Sequence, residues 1–479
     1  MRAVLTRDEM GAADAAALAT VSHQTLVTRA GTAVAHAALR LLGGAYGRRV
    51  VVVAGKGSNG ADGRVAASVL ARRGARVQVL EAEDAAAGPG AALPPCDLVI
   101  DGAYGTGFRG SYDAPRPPAG ARVLAIDIPS GVDADSGEAP GDAVQADVTV
   151  TFAALKPGLL QGAGPWLAGA VEVADIGISF PTPGALVVED ADVASGLPAR
   201  ARQVNKWTTA VGVAAGSAGM EGAAVLCTRG AMAAGAGMVR LAPPGDPGAA
   251  WPTEAVRLHL PAEGWAGAFL EGIAKCRAAV VGPGLGTGAA TAEEIRAVVA
   301  TAPVPLVVDA DALRALGDAA AARALLATRR APCVLTPHDG EYARLAGRPP
   351  GEDRLAAARH LAAATGAVVL LKGPLTAVAA PGATASPGAT PTPDVLLAAA
   401  GGPALATAGS GDVLSGLIAA FCARGLGAPE AAALAAHVHG RAAALGPAEG
   451  LVSGDLPPLV ARVLSAARAE GDRGGGDDG

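Results

Sequence analysis

At 479 residues the chain exceeds one typical domain, and two or three are expected. Aromatics are only 3%, so the cores must be built from Val, Leu, Ile and Ala, while 67 glycines and 35 prolines imply many tight connections. A net charge of −6 without a basic stripe excludes a typical nucleic-acid binder, and no apolar run is long enough to span a bilayer.

In chain order, a first series of short β-rich runs covers 49–54, 76–80, 97–101, 122–127 and 147–152, with helices predicted over 8–19 and 60–73. The runs are Val/Ile/Leu-rich with little alternation, as for strands buried on both faces of a mostly parallel sheet. A Pro-, Gly- and Asp-rich stretch at 179–202 puts a boundary near residue 200. The second series predicts strands at 210–215, 279–282, 306–309, 333–336 and 368–372, then long Ala-rich helices at 412–423 and 429–444. The expected division is therefore 1–200, 205–468 and a disordered tail at 469–479, with a flexible loop near 380–393. Cys96, Cys227, Cys276, Cys333 and Cys422 lack paired spacing and read as core thiols of a reducing compartment. No charged-then-apolar leader opens the chain, so a cytoplasmic location is expected.

Three motifs stand out in the first half. Gly55-Lys56-Gly57-Ser58-Asn59-Gly60-Ala61-Asp62-Gly63 follows a strand and opens a helix, which suits close backbone approach to a phosphate. Asp101 begins a run ending in Gly105, Thr106, Gly107, Phe108, Arg109 and Gly110. Asp127-Ile128-Pro129-Ser130-Gly131-Val132-Asp133 puts a second acid at a strand's carboxyl end, where open α/β sheets bind ligands. Asn59, Asp101 and Ser130 form a candidate set of hard oxygen ligands for a cation; the alternative is that the acids only cap helices.

This order of motifs resembles the NAD(P)H-hydrate epimerase domain, over essentially the whole first half. The resemblance implies that Ser58, Asn59, Gly60, Ala61 and Asp62, together with Gly105, Thr106, Gly107, Phe108, Arg109, Gly110 and Ser111, contact the hydrated dinucleotide. Asp127 would lie beside them as a catalytic residue, and Asn59, Asp101 and Ser130 would hold K⁺. Ser58 and Ala61 depart from the family's usual Asn and Gly in the turn.

The second half carries Gly282-Pro283-Gly284-Leu285-Gly286, Asp309-Ala310-Asp311, Thr336-Pro337-His338-Asp339-Gly340-Glu341 and Lys372-Gly373-Pro374-Leu375-Thr376, each at a strand end. Its clearest signal is Gly409-Ser410-Gly411-Asp412, an acid behind small residues at the start of an apolar helix. Free backbone N–H groups there favour an anion, and Asp412 would lie within reach of a hydroxyl receiving a phosphoryl group. As a carboxylate at a helix N-terminus, Asp412 is expected to have a lowered pKa and to act mainly by orienting that hydroxyl.

From about Asn205 to Arg441 these motifs resemble the ADP/ATP-dependent NAD(P)H-hydrate dehydratase, a ribokinase-like fold. The resemblance implies that Ala223, Gly286, His338 and Asp412 contact the hydrate. Lys372, Gly373, Pro374, Leu375, Thr376 and Gly411 would contact ADP or ATP, with Mg²⁺. The fold class is then α/β, a Rossmann-like three-layer domain followed by a ribokinase-like one. The implied activity is repair of NADHX and NADPHX by a homo-oligomer without nucleic-acid or membrane partners. The alternative is a vitamin or sugar kinase fused to a nucleotide-sensing module, which would consume nucleotide without restoring the reduced nicotinamide.

Overall fold

The computed structural model describes residues 1–85, 91–198, 203–248, 250–382 and 393–474. It divides into two compact units, Arg2–Gly184 and Ala185–Gly479. Among the described residues no helix is long and apolar enough to cross a membrane.

In the first unit the strands are β1 (Arg2–Val4), β2 (Arg49–Ala54), β3 (Arg76–Glu81), β4 (Leu98–Gly102), β5 (Arg122–Ile126), β6 (Val148–Phe152) and β7 (Ala170–Ala174). Strands β2 to β7 form a parallel sheet in the order β3-β2-β4-β5-β6-β7. The chain order reverses between β2 and β4, which opens a crevice at their carboxyl ends. Val52, Leu98, Ile100, Leu124 and Ile126 face one core with the helix His23–Leu42. Val51, Val53, Val99 and Val123 face the other. Asp101 is in phase with Val99 on β4, so it points toward the second face.

Helix ends follow local chemistry. Thr6 and Glu9 form a capping box before Arg7–Leu18. Ser22 accepts from Thr25 N–H at the start of His23–Leu42, which ends at left-handed Gly43. The helix Ser58–Arg72 starts two residues earlier than its apolar pattern suggests, because Gly57 has no side chain to mark the cap.

The second unit contains β8 (Ala185–Val187), β9 (Ala210–Ala214), β10 (Met238–Leu241), β11 (Val256–Arg257), β12 (Ala278–Val281), β13 (Leu306–Val308), β14 (Cys333–Leu335), β15 (Val368–Leu371), β16 (Thr376–Ala379) and β17 (Val395–Ala398). Its sheet runs β8-β17-β16-β15-β14-β13-β12-β9-β10-β11. It is parallel except where β16 pairs antiparallel with β15 and β17. The helix Ser410–Ala423 is buried from Val413 to Ala423, hence apolar on every side. It lies almost backbone to backbone on Glu221–Ala233: a Cβ on Gly416 would stand 2.1 Å from the Cys227 carbonyl oxygen.

Two expectations change. The boundary falls at Gly184/Ala185 rather than near residue 200, because β8 pairs in parallel with β17 and Asp190–Gly196 is a helix of the same unit. Residues 469–474 continue the helix Leu456–Gly474 instead of starting a disordered tail. Residues 475–479, and most of the loop expected near 380–393, lie outside the described residues. All five cysteines are free and buried.

Candidate active sites

The first site is a cavity of about 500 Å³ at the carboxyl ends of β2, β4 and β5, lined by Ser58, Asn59, Asp62, Gly105 to Phe108, Asp127 and Lys156, with Met10, Leu26 and Ile178 as apolar wall. The turn after β2 must be glycine-rich because its backbone folds on itself. A Cβ on Gly60 would stand 1.8 Å from the Gly55 carbonyl oxygen. Of the residues expected here, Gly60 and Ala61 support the turn without lining the cavity, and Arg109, Gly110 and Ser111 lie outside its lining.

Asp127 holds an uncommon left-handed conformation at φ 67°, a strain that persists only where the surroundings fix it. Lys156 fixes it. Its ammonium, 1% exposed, donates to Asp127 Oδ1 at 2.6 Å, to Thr151 Oγ1 at 2.7 Å and to the Phe152 carbonyl at 3.0 Å. Thr106 N–H reaches the other Asp127 oxygen at 3.3 Å, tying the Gly-Thr-Gly loop to the same acid. Arg7 braces this loop from outside, donating to Thr106 O at 2.7 Å and to Asp133 Oδ2 at 2.6 Å. Burial pushes Asp133 up, but hydrogen bonds from the Ser136 and Asp135 backbone and from Arg7 outweigh it and hold its carboxyl at about 2.

Asn59, Asp101 and Ser130 come together around the Tyr104 backbone. Asn59 Nδ2 donates to Tyr104 O at 3.0 Å and to Ile126 O at 2.7 Å, which leaves Oδ1 beside Gly105. Ser130 donates to Asp101 through both N–H (2.8 Å) and Oγ (2.7 Å), and accepts from Tyr104 N–H. Asp101 is fully buried and no ion pair reaches it among the described residues; burial raises it to about 6 despite the donors from Ser130 and Ala103. A second cavity of about 510 Å³, floored by Val53, Val99 and Val123, lies on the other face of the sheet and meets Asp101 there.

In the second unit four strand ends and one helix converge. Asp309, 2% exposed, follows β13; Lys372 follows β15 and donates to its Oδ1 at 2.9 Å. Ser415, one turn into the helix Ser410–Ala423, donates to Asp309 Oδ2 at 2.7 Å. Glu341 Oε2 lies 3.7 Å from the same ammonium and accepts from His338 N–H. Burial alone would raise Asp309, but Lys372 and the Ser415 and Thr336 hydroxyls outweigh it and hold the carboxyl low. Lys372 is itself raised: burial opposes its charge, and Asp309 and Glu341 overcome that.

Gly409 starts the helix in a left-handed conformation, φ 87°, and Gly411 follows so close to the ion pair that a Cβ on it would meet Lys372 Nζ at 3.4 Å. Asp412 departs from the sequence expectation. Burial first, then the nearby Asp309 charge, push its carboxyl up to about 7 against the pull of Lys372. The helix dipole expected to lower it is outweighed by desolvation. A carboxyl near 7 is well matched to accept a proton at neutral pH, so Asp412 is a better base than the sequence suggests.

His338 caps the helix Asp339–Ala346, its Nδ1 accepting from Gly340 and Glu341 N–H; in the neutral ring the proton is then on Nε2. Gly286 N–H donates to Asp311 at 2.8 Å, while Gly284 packs on Ala223. The turn Lys372 to Thr376 is pinned by Arg354, which donates to the Lys372 and Leu375 carbonyls and to Asp339. Sequence reasoning missed Lys156, Arg7, Arg354 and Ser415. Lys156 stands four residues beyond the end of β6, in a stretch that carries no motif.

A family model described as NAD(P)H-hydrate dehydratase matches residues 211–465, and one described as YjeF-related protein N-terminus matches 23–92 and 80–158. The bifunctional NAD(P)H-hydrate repair enzyme of Mycobacterium leprae is 41% identical over 485 residues, covering 95% of this chain and 96% of its own. That of Moorella thermoacetica is 37% identical, with 87% of each chain covered. Among solved structures, the ADP/ATP-dependent NAD(P)H-hydrate dehydratase from Bacillus subtilis, co-crystallised with ATP/Mg²⁺, shares 27% identity at a TM-score of 0.48, covering 58% of this chain and 97% of that one. With relatives this similar along nearly the whole length and a dehydratase model over more than half of it, the chain belongs to the family of bifunctional NAD(P)H-hydrate repair enzymes.

Proposed function

We propose that the first unit interconverts the R and S hydrates of NADH and NADPH and that the second dehydrates the S hydrate at the expense of ADP or ATP. The observation that carries the second assignment is Asp412, a half-buried carboxyl raised to about 7 at a glycine-lined helix N-terminus beside Lys372. Hydration leaves a hydroxyl on C6 of the nicotinamide ring, and hydroxide is a poor leaving group. Asp412 takes the hydroxyl proton as the oxygen attacks the terminal phosphorus of the nucleotide, whose bond to the bridging oxygen breaks to release the nucleotide one phosphate shorter. The C6–O bond then breaks with departure of inorganic phosphate, and loss of a C5 proton restores the double bond. Lys372 and the N–H groups of Gly409 to Gly411 stabilise the migrating phosphoryl group, while Gly373 to Thr376 hold the nucleotide. Ala223, Gly286 and His338 line the hydrate's side. Mg²⁺ bound with the nucleotide would neutralise phosphate charge.

In the first unit Ser58 to Asp62, the loop from Gly105 to Ser111 and Asp127 are assigned to the hydrate. Asp101, buried without a cationic side chain and hydrogen-bonded to Ser130, whose Oγ shares the Tyr104 carbonyl with Asn59, would with these residues suit a singly charged cation such as K⁺. K⁺ would supply there the charge that the burial of Asp101 lacks. A soluble cytoplasmic homo-oligomer with NADHX and NADPHX as substrates is the proposed working form.

The test is to incubate the protein with chemically hydrated NADH, Mg²⁺ and either nucleotide. Near-ultraviolet absorbance of the reduced ring should return in step with nucleotide consumption. Consumption without recovery would instead support a small-molecule kinase.

A further inference from the structure

The first cavity holds two aspartates in opposite circumstances. Asp127 is locked to Lys156 and Thr151. Asp62, on the first turns of the helix Ser58–Arg72, is 4% exposed and lines the same cavity, and among the described residues its carboxyl takes part in no ion pair or hydrogen bond. A buried carboxyl without donors or a counter-cation is stable only with its proton on. One carboxyl held in an ion pair and a second left without a donor in the same cavity can divide between them the roles of ionised partner and acid.

We propose that Asp62 is the general acid of epimerisation, protonating the C6 hydroxyl of the hydrate, while Asp127 remains an ion-paired carboxylate that orients the ring. The inference rests on the epimerase reading of the first unit. Asp62 gives its proton to the C6 oxygen; the C6–O bond breaks, releasing water, and the N1 electron pair forms the N1=C6 bond. Water adds to the opposite face of C6 and that pair returns to N1. The proton it releases is carried back by the departed water to the Asp62 carboxylate. Atoms, charge and oxidation state are unchanged over the cycle, as an isomerisation demands.

Burial, and then the negative charge of Asp127, raise Asp62 to about 8. The acid is therefore loaded at neutral pH and lost above. Other titratable groups on the cavity wall are Asp14 on the helix Arg7–Leu18, His23 on the helix His23–Leu42, Lys56 in the turn, and Asp127 with Lys156. Asp14 is also raised, by burial and by Asp127.

The experiment follows conversion of purified R hydrate to S hydrate by chromatography, with the spontaneous rate subtracted, on the full chain without nucleotide between about pH 6 and 9. Asp62→Asn is expected to lower the rate at least about 10²-fold, the usual loss for a general acid. The parent rate should fall as pH rises through about 8, and the residual rate of Asp62→Asn should not. In Asp14→Asn the fall must persist, whatever its amplitude. Asp62→Asn retaining more than about a tenth of the rate, well outside that range, overturns the proposal, as does a flat parent profile or disappearance of the fall in Asp14→Asn. If Asp62→Asn does not fold, the parent and Asp14→Asn profiles still decide. A parent protein that does not accelerate epimerisation at all fails the epimerase reading instead.

Discussion

Both units place a buried aspartate, ion-paired to a lysine, at a sheet's carboxyl edge and a second carboxyl on the helix that follows a glycine turn. In the first these are Lys156–Asp127 with Asp62; in the second, Lys372–Asp309 with Asp412. What differs is the lysine. Lys156 spends all three protons on protein acceptors and is 1% exposed, so its charge is committed to holding Asp127 and the end of β6 even though it forms part of the cavity wall. Lys372, 21% exposed, donates to Asp309 and lies beside Gly411 and Glu341, with part of its charge still facing the helix N-terminus. On the function proposed above, the same pair would hold an acid in one unit and receive a phosphoryl group in the other. That fits a unit that only rearranges its substrate and a unit that consumes a nucleotide.

The comparison is sharpest at Asp412. Asp412→Asn should cut dehydration of S hydrate by about 10²–10⁴, the usual contribution of a general base. A variant keeping more than about a tenth of the rate, well above that range, would make Asp412 a structural residue. In the parent, dehydration should rise with pH through about 7 as Asp412 loses its proton, the reverse of the slope expected for epimerisation.

Next in size are the lysines. Lys156→Met leaves Asp127 buried and unpaired, a cost of about 3–5 kcal/mol, so the first unit should melt well below its melting point in the parent. Lys372→Met should weaken nucleotide KM by about 10- to 100-fold, the loss of a charge-assisted hydrogen bond. Calorimetry and nucleotide titration would separate the two, and a large nucleotide effect from Lys156→Met would break the distinction.

Smaller still is the stability effect of Asp412 itself. Its folded pKa is raised, so its stabilising contribution is present below the ordinary carboxylate range and lost as pH rises through about 7. Asp412→Asn should therefore melt higher than the parent at about pH 8, with the difference vanishing toward pH 4. Equal melting at pH 8 would mean that the carboxyl is better solvated than its burial implies.

The acids at strand ends were legible in the sequence because small residues and an Asp follow each apolar run directly. The five predicted strands of the first unit are all present, as are the five of the second, since each is a run rich in Val, Leu, Ile or Ala, largely buried in all but β3 at the edge of its sheet. The antiparallel pairs around β16 were not seen, because Thr376 to Ala379 is short and the Gly373-Pro374 turn before it was read as a nucleotide contact. Nor could Lys156 be told from a surface lysine, since its burial is set by strands and loops far away in sequence. The raised state of Asp412 was misjudged for the same reason: the helix terminus is local and visible, while the packing of Glu221–Ala233 and the charge of Asp309 are not.

The strand β8 has a consequence for dividing the chain. Residues 185–187 are few, yet they cover the hydrogen-bonding flank of β17, whose Val395, Leu396, Leu397 and Ala398 are all buried. A second unit cut at residue 205 would present that flank as a bare apolar edge, a template for pairing with other chains. One beginning at Ala185 would keep it sealed. Fragments with the same catalytic residues should therefore differ in solubility, and the difference would trace to three residues far in sequence from any substrate contact.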